Sequence, residues 1–338
     1  MRLRQLIPDR LLLRLHRRRL QMRAWRKRRE LTARMDRTGD MPDGPILFST
    51  VRNEAVRLPY FLDYYRKLGI VHFLVVDNGS TDRTQDYLSA QPDVSFWHTE
   101  ASYKAARFGV DWLNWLLSRY GDGRWVLVAD PDEFLVYPQC DTRRLPALTR
   151  YLEDRGAESL GTLLLDLYGD QPVNQTHCRI GEDPVAAAPW FDAANYLVTR
   201  DGFFQNLWIQ GGPRMRVFFG HKPSAAPALN KIPLVRWRRG YVYRNGAHEL
   251  LPRRLNLTYS RGGGSVTSGV LLHAKFMDVL TDKIAEEMDR RQHYADSAEY
   301  VSYARQGGDV TMWTPHSQRY SDWRQLCDLG LMARGGWI

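Results

Sequence analysis

Cysteine is scarce: Cys140, Cys178 and Cys327 are the only three among 338 residues, odd in number and far apart. That excludes a disulfide framework and a paired zinc spacing, and it suits a reducing compartment. No apolar run approaches the roughly 20 residues that span a bilayer. A cleavable signal sequence is not expected either, because the apolar run Leu11–Leu13 is flanked by Arg10, Arg14 and Arg17. The body lacks an excess of either charge. Of the net +10, all ten units lie in residues 1–40, and the other 298 residues hold 34 basic and 34 acidic groups. This argues against a nucleic-acid enzyme with a basic working face. Internal repeats and low-complexity segments are also absent. The expectation is a cytoplasmic body with a basic arm.

Residues 1–40 hold 14 Lys/Arg against 4 Asp/Glu. After Pro8 they read as a helix. Leu6, Leu13, Leu20, Ala24, Leu31 and Met35 recur at seven- and four-residue spacings, which gathers them on one face, with Trp25 beside the stripe and arginines over the rest. Two readings follow. The arm is an amphipathic helix lying on an anionic membrane, each basic residue contributing about 1 kcal/mol near the surface, or it is a solvated basic helix docked on the body or a partly disordered segment. The first would make the protein peripheral on the inner face of the membrane.

Asp40 to Pro45 is turn-rich and marks a boundary. Beyond it, apolar runs of strand length alternate with helical periodicity: Ile46–Val51, a helix near Val56–Leu68, Val71–Asp77, a helix near Asp82–Ala90, Val94–His98, a helix across Lys104–Tyr120, and Trp125–Asp130. Val71–Asp77 and Trp125–Asp130 are apolar almost throughout, as strands covered on both faces are. The pattern predicts an α/β domain with a mostly parallel sheet flanked by helices. Beyond residue 140 the alternation weakens into a Gly/Pro/aromatic-rich region, with short strands such as Arg214–Phe219 and a helix over 278–291. The expected division is an arm over 1–40, a domain over 45–295 with halves 45–140 and 141–295, and a tail over 296–338.

Ligands in such sheets bind beyond the carboxyl ends of the strands. Three polar clusters sit there. Asp130-Pro131-Asp132-Glu133 follows a buried strand; carboxylates at i and i+2 in extended chain point to one side, and Pro131 stiffens the turn. Such oxygen ligands suit Mg²⁺ or Mn²⁺, with phosphates completing the shell. Asp77 to Asp82 follows a second strand, with Gly79 permitting a tight turn, and Val51-Arg52-Asn53-Glu54 follows the first.

In this order, VRNE, VVDNGSTD and DPDEF resemble glycosyltransferase family 2 and its GT-A-fold relatives, and more narrowly a bacterial family 2-like branch. The branch is also matched by Trp125–Phe134, Leu163–Asp170, Gly211–Phe218 and Leu271–Phe276, so that the resemblance covers about residues 45–295. It implies a GT-A-like fold in which Thr50, Val51, Arg52, Glu54 and Asp77 contact the nucleoside. It further implies that Lys104 and Arg107 face the diphosphate and that Asp130 lies near ribose and metal. Asp132 would ligate the metal, and His273, with Lys275 beside it, would complete the metal site or contact the diphosphate.

The departure concerns the catalytic base. The xED triplet usual in family 2 is missing after Gly211-Gly212, and the nearest candidates are His248, which titrates near neutrality, and Glu249 if partly desolvated. The resulting expectation is a metal-dependent transferase moving a sugar from a nucleoside-diphosphate donor to a hydroxyl acceptor, a glycan or a lipid-linked one, with inversion and no nucleic-acid partner. Two alternatives stand beside it: a nucleotidyltransferase, disfavoured because the loop after the first strand has no glycine, and a non-catalytic carbohydrate- or membrane-binding protein on the same fold.

Overall fold

Helix α1 (Asp9–Lys27) starts directly after Pro8, with Asp9 in its first turn and Arg26 and Lys27 in its last, the charge order a helix dipole favours. The computed structural model describes residues 8–260, 266–290, 302–304 and 307–337. Leu6 of the arm, residue 291 of the expected late helix and the boundary at 295/296 lie outside the described residues. After α1 the chain turns and forms an edge strand, β1 (Thr32–Met35), so Leu31 and Met35 do not extend the helical stripe.

β2 (Ile46–Val51), β3 (His72–Asp77), β4 (Val94–His98) and β5 (Trp125–Val128) run parallel in the order β4-β3-β2-β5, with β1 antiparallel on the outside of β4. Helices α2 (Leu58–Leu68), α3 (Thr84–Ser89) and α4 (Val110–Tyr120) connect them. Phe73 and Val75 enter one core while Leu74 and Val76 enter another. Successive side chains of β3 are thus buried on opposite faces, which is why the strand reads as an unbroken apolar run.

The second half continues the same sheet. It contributes β6 (Glu133–Val136), α5 (Leu145–Asp154), β7 (Ser159–Tyr168), α6 (Pro184–Ala187), β8 (Trp190–Phe191), the hairpin β9 (Tyr196–Asp201) and β10 (Asn206–Gly211), and α7 (Gly212–Phe218). These are followed by β11 (Asn230–Arg236), β12 (Val242–Tyr243), β13 (Leu250–Leu251), β14 (Gly269–Phe276), α8 (Val279–Arg290) and β15 (Gln318–Arg319). Beyond β5 the sheet order is β11-β7-β14-β6, antiparallel except where β14 lies parallel to β7. The architecture is a mixed α/β sheet with a parallel N-terminal part and flanking helices.

Two elements differ from the sequence expectation. The helix expected across Lys104–Tyr120 starts only at Val110, because Arg107, Phe108 and Gly109 adopt positive φ. Gly109 is required there: a Cβ would stand 2.9 Å from Thr50 Oγ1. Arg214–Phe219, expected as a strand, lies largely in helix α7. Gly211 and Gly212 turn the chain at positive φ, a Cβ on Gly211 would meet the Asn195 carbonyl at 2.0 Å, and Pro213 enters at the helix start, where its fixed φ fits.

The arm is packed on the body. α1 lies against α4, Leu20 and Ala24 are buried, and Leu20 joins Val242 and Leu251 in a small core. Gln21 donates to the Gly240 carbonyl (2.8 Å), and the Trp112 indole donates to Glu30 (2.9 Å). Arg23 and Arg107 converge on Asp111, whose side chain has no exposure, at 3.0 and 2.5 Å. The stripe expected to face a membrane is therefore covered by protein, because a buried carboxylate and an apolar groove offer it a better-matched partner.

Asp111→Ala, which leaves Arg107 without its counter-charge, is expected to lower the unfolding free energy by about 3–5 kcal/mol. Arg23→Ala, at the more exposed partner, should cost only about 1 kcal/mol. Urea denaturation followed by tryptophan fluorescence measures both; equal effects would place the stability of the α1–α4 contact elsewhere.

Candidate active site

β2 neighbours β3 on one side and β5 on the other, so the chain diverges at its carboxyl end, and a crevice is expected there. A cavity of about 720 Å³ occupies this place. Its walls bring together the first loop (Thr50, Val51, Arg52, Glu54), the acidic turn (Asp130, Asp132, Glu133), and Arg214, Lys231, His248, His273 and Lys275 from the second half.

Register explains the heart of the site. In β14, His273 is the partner of Glu133 on β6 and of Asp166 on β7, so these three side chains project from one face. The backbone N–H of Ala274 donates to the Asp132 carbonyl (2.8 Å), tying the acidic turn to β14. His273 Nδ1 meets Asp166 at 2.7 Å, and its Nε2 faces the Asp132 carboxylate at 3.6 Å. Arg214 of α7 donates through Nε (3.1 Å) and a terminal nitrogen to the same Asp166, which is almost fully buried.

The charges are mutually dependent. Burial works against ionising Asp166, but Arg214 and His273 outweigh it and hold the carboxyl below its ordinary range. Burial likewise opposes Asp132, yet His273, with Arg57 and Lys283 behind, holds it well below that range. His273 is pushed up: burial disfavours its cation, and Asp132 and Asp166 overcome that. On the other side of the turn, Glu133 points inward to a charge-assisted contact with Lys231, and the more exposed Asp130 lies 3.4 Å from the same ammonium. Burial would lower the Lys231 pKa, but Glu133 and Asp130 keep it above the ordinary value.

Asp132 and His273 are the residues that could hold a divalent cation. Among the described residues no group of three or more His, Cys, Asp or Glu side chains is gathered for a metal. Two protein donors fit a cation that completes its shell with water and phosphate oxygens, and the imidazole makes the pair less suited to Mg²⁺, which takes oxygen ligands. The proton on Nδ1 belongs to the bond with Asp166, so Nε2 is the atom that could ligate, a bound cation displacing the proton it shares with Asp132.

On the nucleotide side, Thr50, Val51, Arg52 and Glu54 line the cavity. Thr50 Oγ1 is buried without a hydrogen-bond partner among the described residues, so it is available to a ligand. Arg52 donates to the carbonyls of Asn78 (2.6 Å) and Gly79 (2.5 Å) and pairs with Glu286 of α8; Glu54 pairs with Arg57 and with Lys283 of α8. The last long helix is thereby clamped over the first loop.

Asp77, Lys104, Arg107 and Glu249 do not line this cavity. Asp77 is the register partner of His98 and is fully buried against its Nδ1 at 2.7 Å, so its carboxylate is taken. Arg107 is turned away by its positive φ and held by Asp111 and the Arg244 carbonyl. Glu249 is gripped by two nitrogens of Arg244. Of the two base candidates only His248 reaches the wall; its Nδ1 donates to the Asn230 carbonyl (2.6 Å), and burial, with Lys231 nearby, pushes its pKa down to about 4. Sequence reasoning missed the roles of Asp166, Arg214 and Lys231. The first two lie in segments that carried the family resemblance; Lys231 had as its signal only a cation inside a strand-length apolar run.

Asp166→Asn removes the charge shared by Arg214 and His273. The His273 ring, which should titrate above the ordinary histidine range in the native protein, is expected to titrate lower in the variant, as followed by NMR. An unchanged titration would show that Asp132 alone sets it.

The chain matches no family model and no curated protein. Solved structures with partial likeness include a mannosyltransferase from Pyrobaculum calidifontis in complex with GDP-Man and Mn²⁺ (18% identity, TM-score 0.28, 46% of each chain). A 4-diphosphocytidyl-2C-methyl-D-erythritol synthase overlaps at 17% identity and a TM-score of 0.26, over 42% of this chain and 66% of the other. The aligned part thus spans less than half of this chain and of the mannosyltransferase, and the reading of function rests on the site itself.

Proposed function

We propose that the chain is a glycosyltransferase of the family 2-like type, which moves a sugar from a nucleoside-diphosphate donor to a hydroxyl acceptor by one inverting displacement, in cell-envelope glycan or glycolipid synthesis. The observation that carries the reading is the Asp132–His273 pair at a strand end, braced by Asp166 and Arg214 beside a cavity rich in cationic groups.

When bound, a divalent cation held by Asp132 and His273 would neutralise the diphosphate leaving group. Arg214 and Lys231 place cationic donors on the same wall, each paired with a buried carboxylate, Asp166 and Glu133. Thr50 Oγ1 and the Arg52 loop form the opposite wall, where the nucleoside would lie. His248 is the proposed base. With Nδ1 donating to Asn230, Nε2 is the acceptor, and the depressed pKa keeps the ring unprotonated at neutral pH. A nucleotidyl transfer is disfavoured by the first loop, which has no glycine and is clamped by ion pairs to α8.

Incubation with UDP- and GDP-sugars and Mn²⁺, read as free nucleoside diphosphate, tests the reaction class. Release of pyrophosphate from a nucleoside triphosphate instead would identify a nucleotidyltransferase, and binding without turnover a non-catalytic scaffold. Asp132→Ala is expected to abolish the Mn²⁺-dependent thermal stabilisation by nucleoside diphosphate while leaving the apo melting temperature close to native; retained metal dependence would move the metal elsewhere.

His248→Gln should lower kcat for transfer by about 10²–10⁴-fold with little change in donor binding. Because the ring loses its proton near pH 4, native activity should show no acid limb from this residue between pH 5 and 8, as judged from roughly one-unit steps in a pH–rate profile. Full activity in the variant would remove the base assignment.

A further inference from the structure

Helix α1 has a second apolar face, distinct from the one packed on the body. At about 100° per residue, Leu11, Leu15, Met22 and Trp25 fall within an arc of roughly 80°, opposite Leu13 and Leu20. They are large apolar side chains left 47%, 51%, 51% and 45% exposed. Arg10, Arg14, Arg18, Arg19, Arg26 and Arg29 are exposed around them, and none of the six is in an ion pair among the described residues. The Arg28 guanidinium lies 3.9 Å over the Trp25 ring, giving that ring an apolar edge and a charged cover.

This face suits one kind of partner. A nucleic acid would satisfy the arginines but leave the apolar ridge wet. A second copy would cover the ridge but bring unpaired arginines against arginines. An anionic bilayer surface satisfies both, with apolar side chains in the headgroup–acyl boundary and guanidinium groups on lipid phosphates; tryptophan is enriched at that depth. We propose that α1 docks flat on an anionic lipid surface through its outer face, while its inner face holds the body. The hairpin β9–β10 extends the connection. Its tip residue Phe204 packs beside Leu13 and lies 6.4 Å from the His16 ring, while Trp208 and Gln210 of the same hairpin line the cavity. The inner face of α1 and the cavity wall are therefore joined through one two-stranded ribbon. The proposal does not depend on the reaction carried out in the cavity.

The test is sedimentation of the full chain with phosphatidylcholine vesicles, with and without roughly 30% phosphatidylglycerol, at low and high salt. Binding should require the anionic lipid and weaken with salt. Leu15→Ser combined with Met22→Ser should lose at least about tenfold in vesicle affinity with an unchanged melting temperature, since both side chains are exposed. Arg14→Gln combined with Arg18→Gln should lose affinity and salt dependence together. The proposal is overturned if the native chain ignores anionic vesicles at low salt, or if the serine pair binds them as well as the native chain does. It is also overturned if the serine pair converts a dimer to a monomer without lipid, which would make a second copy the partner.

Discussion

A single carboxylate with almost no access to water organises the chemistry-bearing corner of this protein. Asp166 lies near the carboxyl end of β7, the longest strand among the described residues, and cannot remain ionised there alone; Arg214 from α7 and His273 from β14 supply the compensating charge. Each depends on the others. Without Asp166, Arg214 would lose a buried counter-charge that it meets through two nitrogens, and removing one partner of such a pair costs more than an apolar replacement of the whole set. The consequence for function is orientation: the histidine cannot rotate without breaking the Nδ1 bond, so its other nitrogen stays aimed at Asp132.

The arm shows the same preference for satisfied burial over free display. Its leucine stripe and one of its arginines meet an apolar groove and a buried Asp111, and a helix of high positive charge becomes part of the body. What remains on the outside is a narrower ridge set among arginines that no carboxylate answers among the described residues. The two faces of one helix thus do different things, and a count of its charges alone does not separate them.

How much was legible follows from what each residue needs. The parallel strands announced themselves because burial on both faces leaves unbroken apolar runs, and the acidic turn stood out because two carboxylates two residues apart follow one such run and a second apolar run follows them. Strand ends pointed to one end of the sheet, and Thr50, Val51, Arg52, Glu54, Asp132 and His273 line the cavity that lies there. Asp77 also ends a strand, but the neighbouring strand presents His98 in register with it, a cross-strand pairing that no local pattern reveals. Arg107 is diverted by a left-handed turn, and Gly211-Gly212-Pro213 converts an apolar segment into a helix; both depend on backbone geometry that apolar periodicity does not encode. Lys231 and Asp166 acquire their roles only from partners distant in the chain.

β14 is held by two ladders of opposite sense, parallel to β7 and antiparallel to β6. A slip of one residue would have to break both, and it would carry His273 through the sheet to the other face. The linear spacing between the acidic turn and the histidine is free to drift, since everything between them can lengthen or shorten in loops. The parity of the strand is not. A search for distant relatives of this site would therefore do better to follow alternation within β7 and β14, with Asp166 and His273 facing the same way, than to measure intervals along the chain.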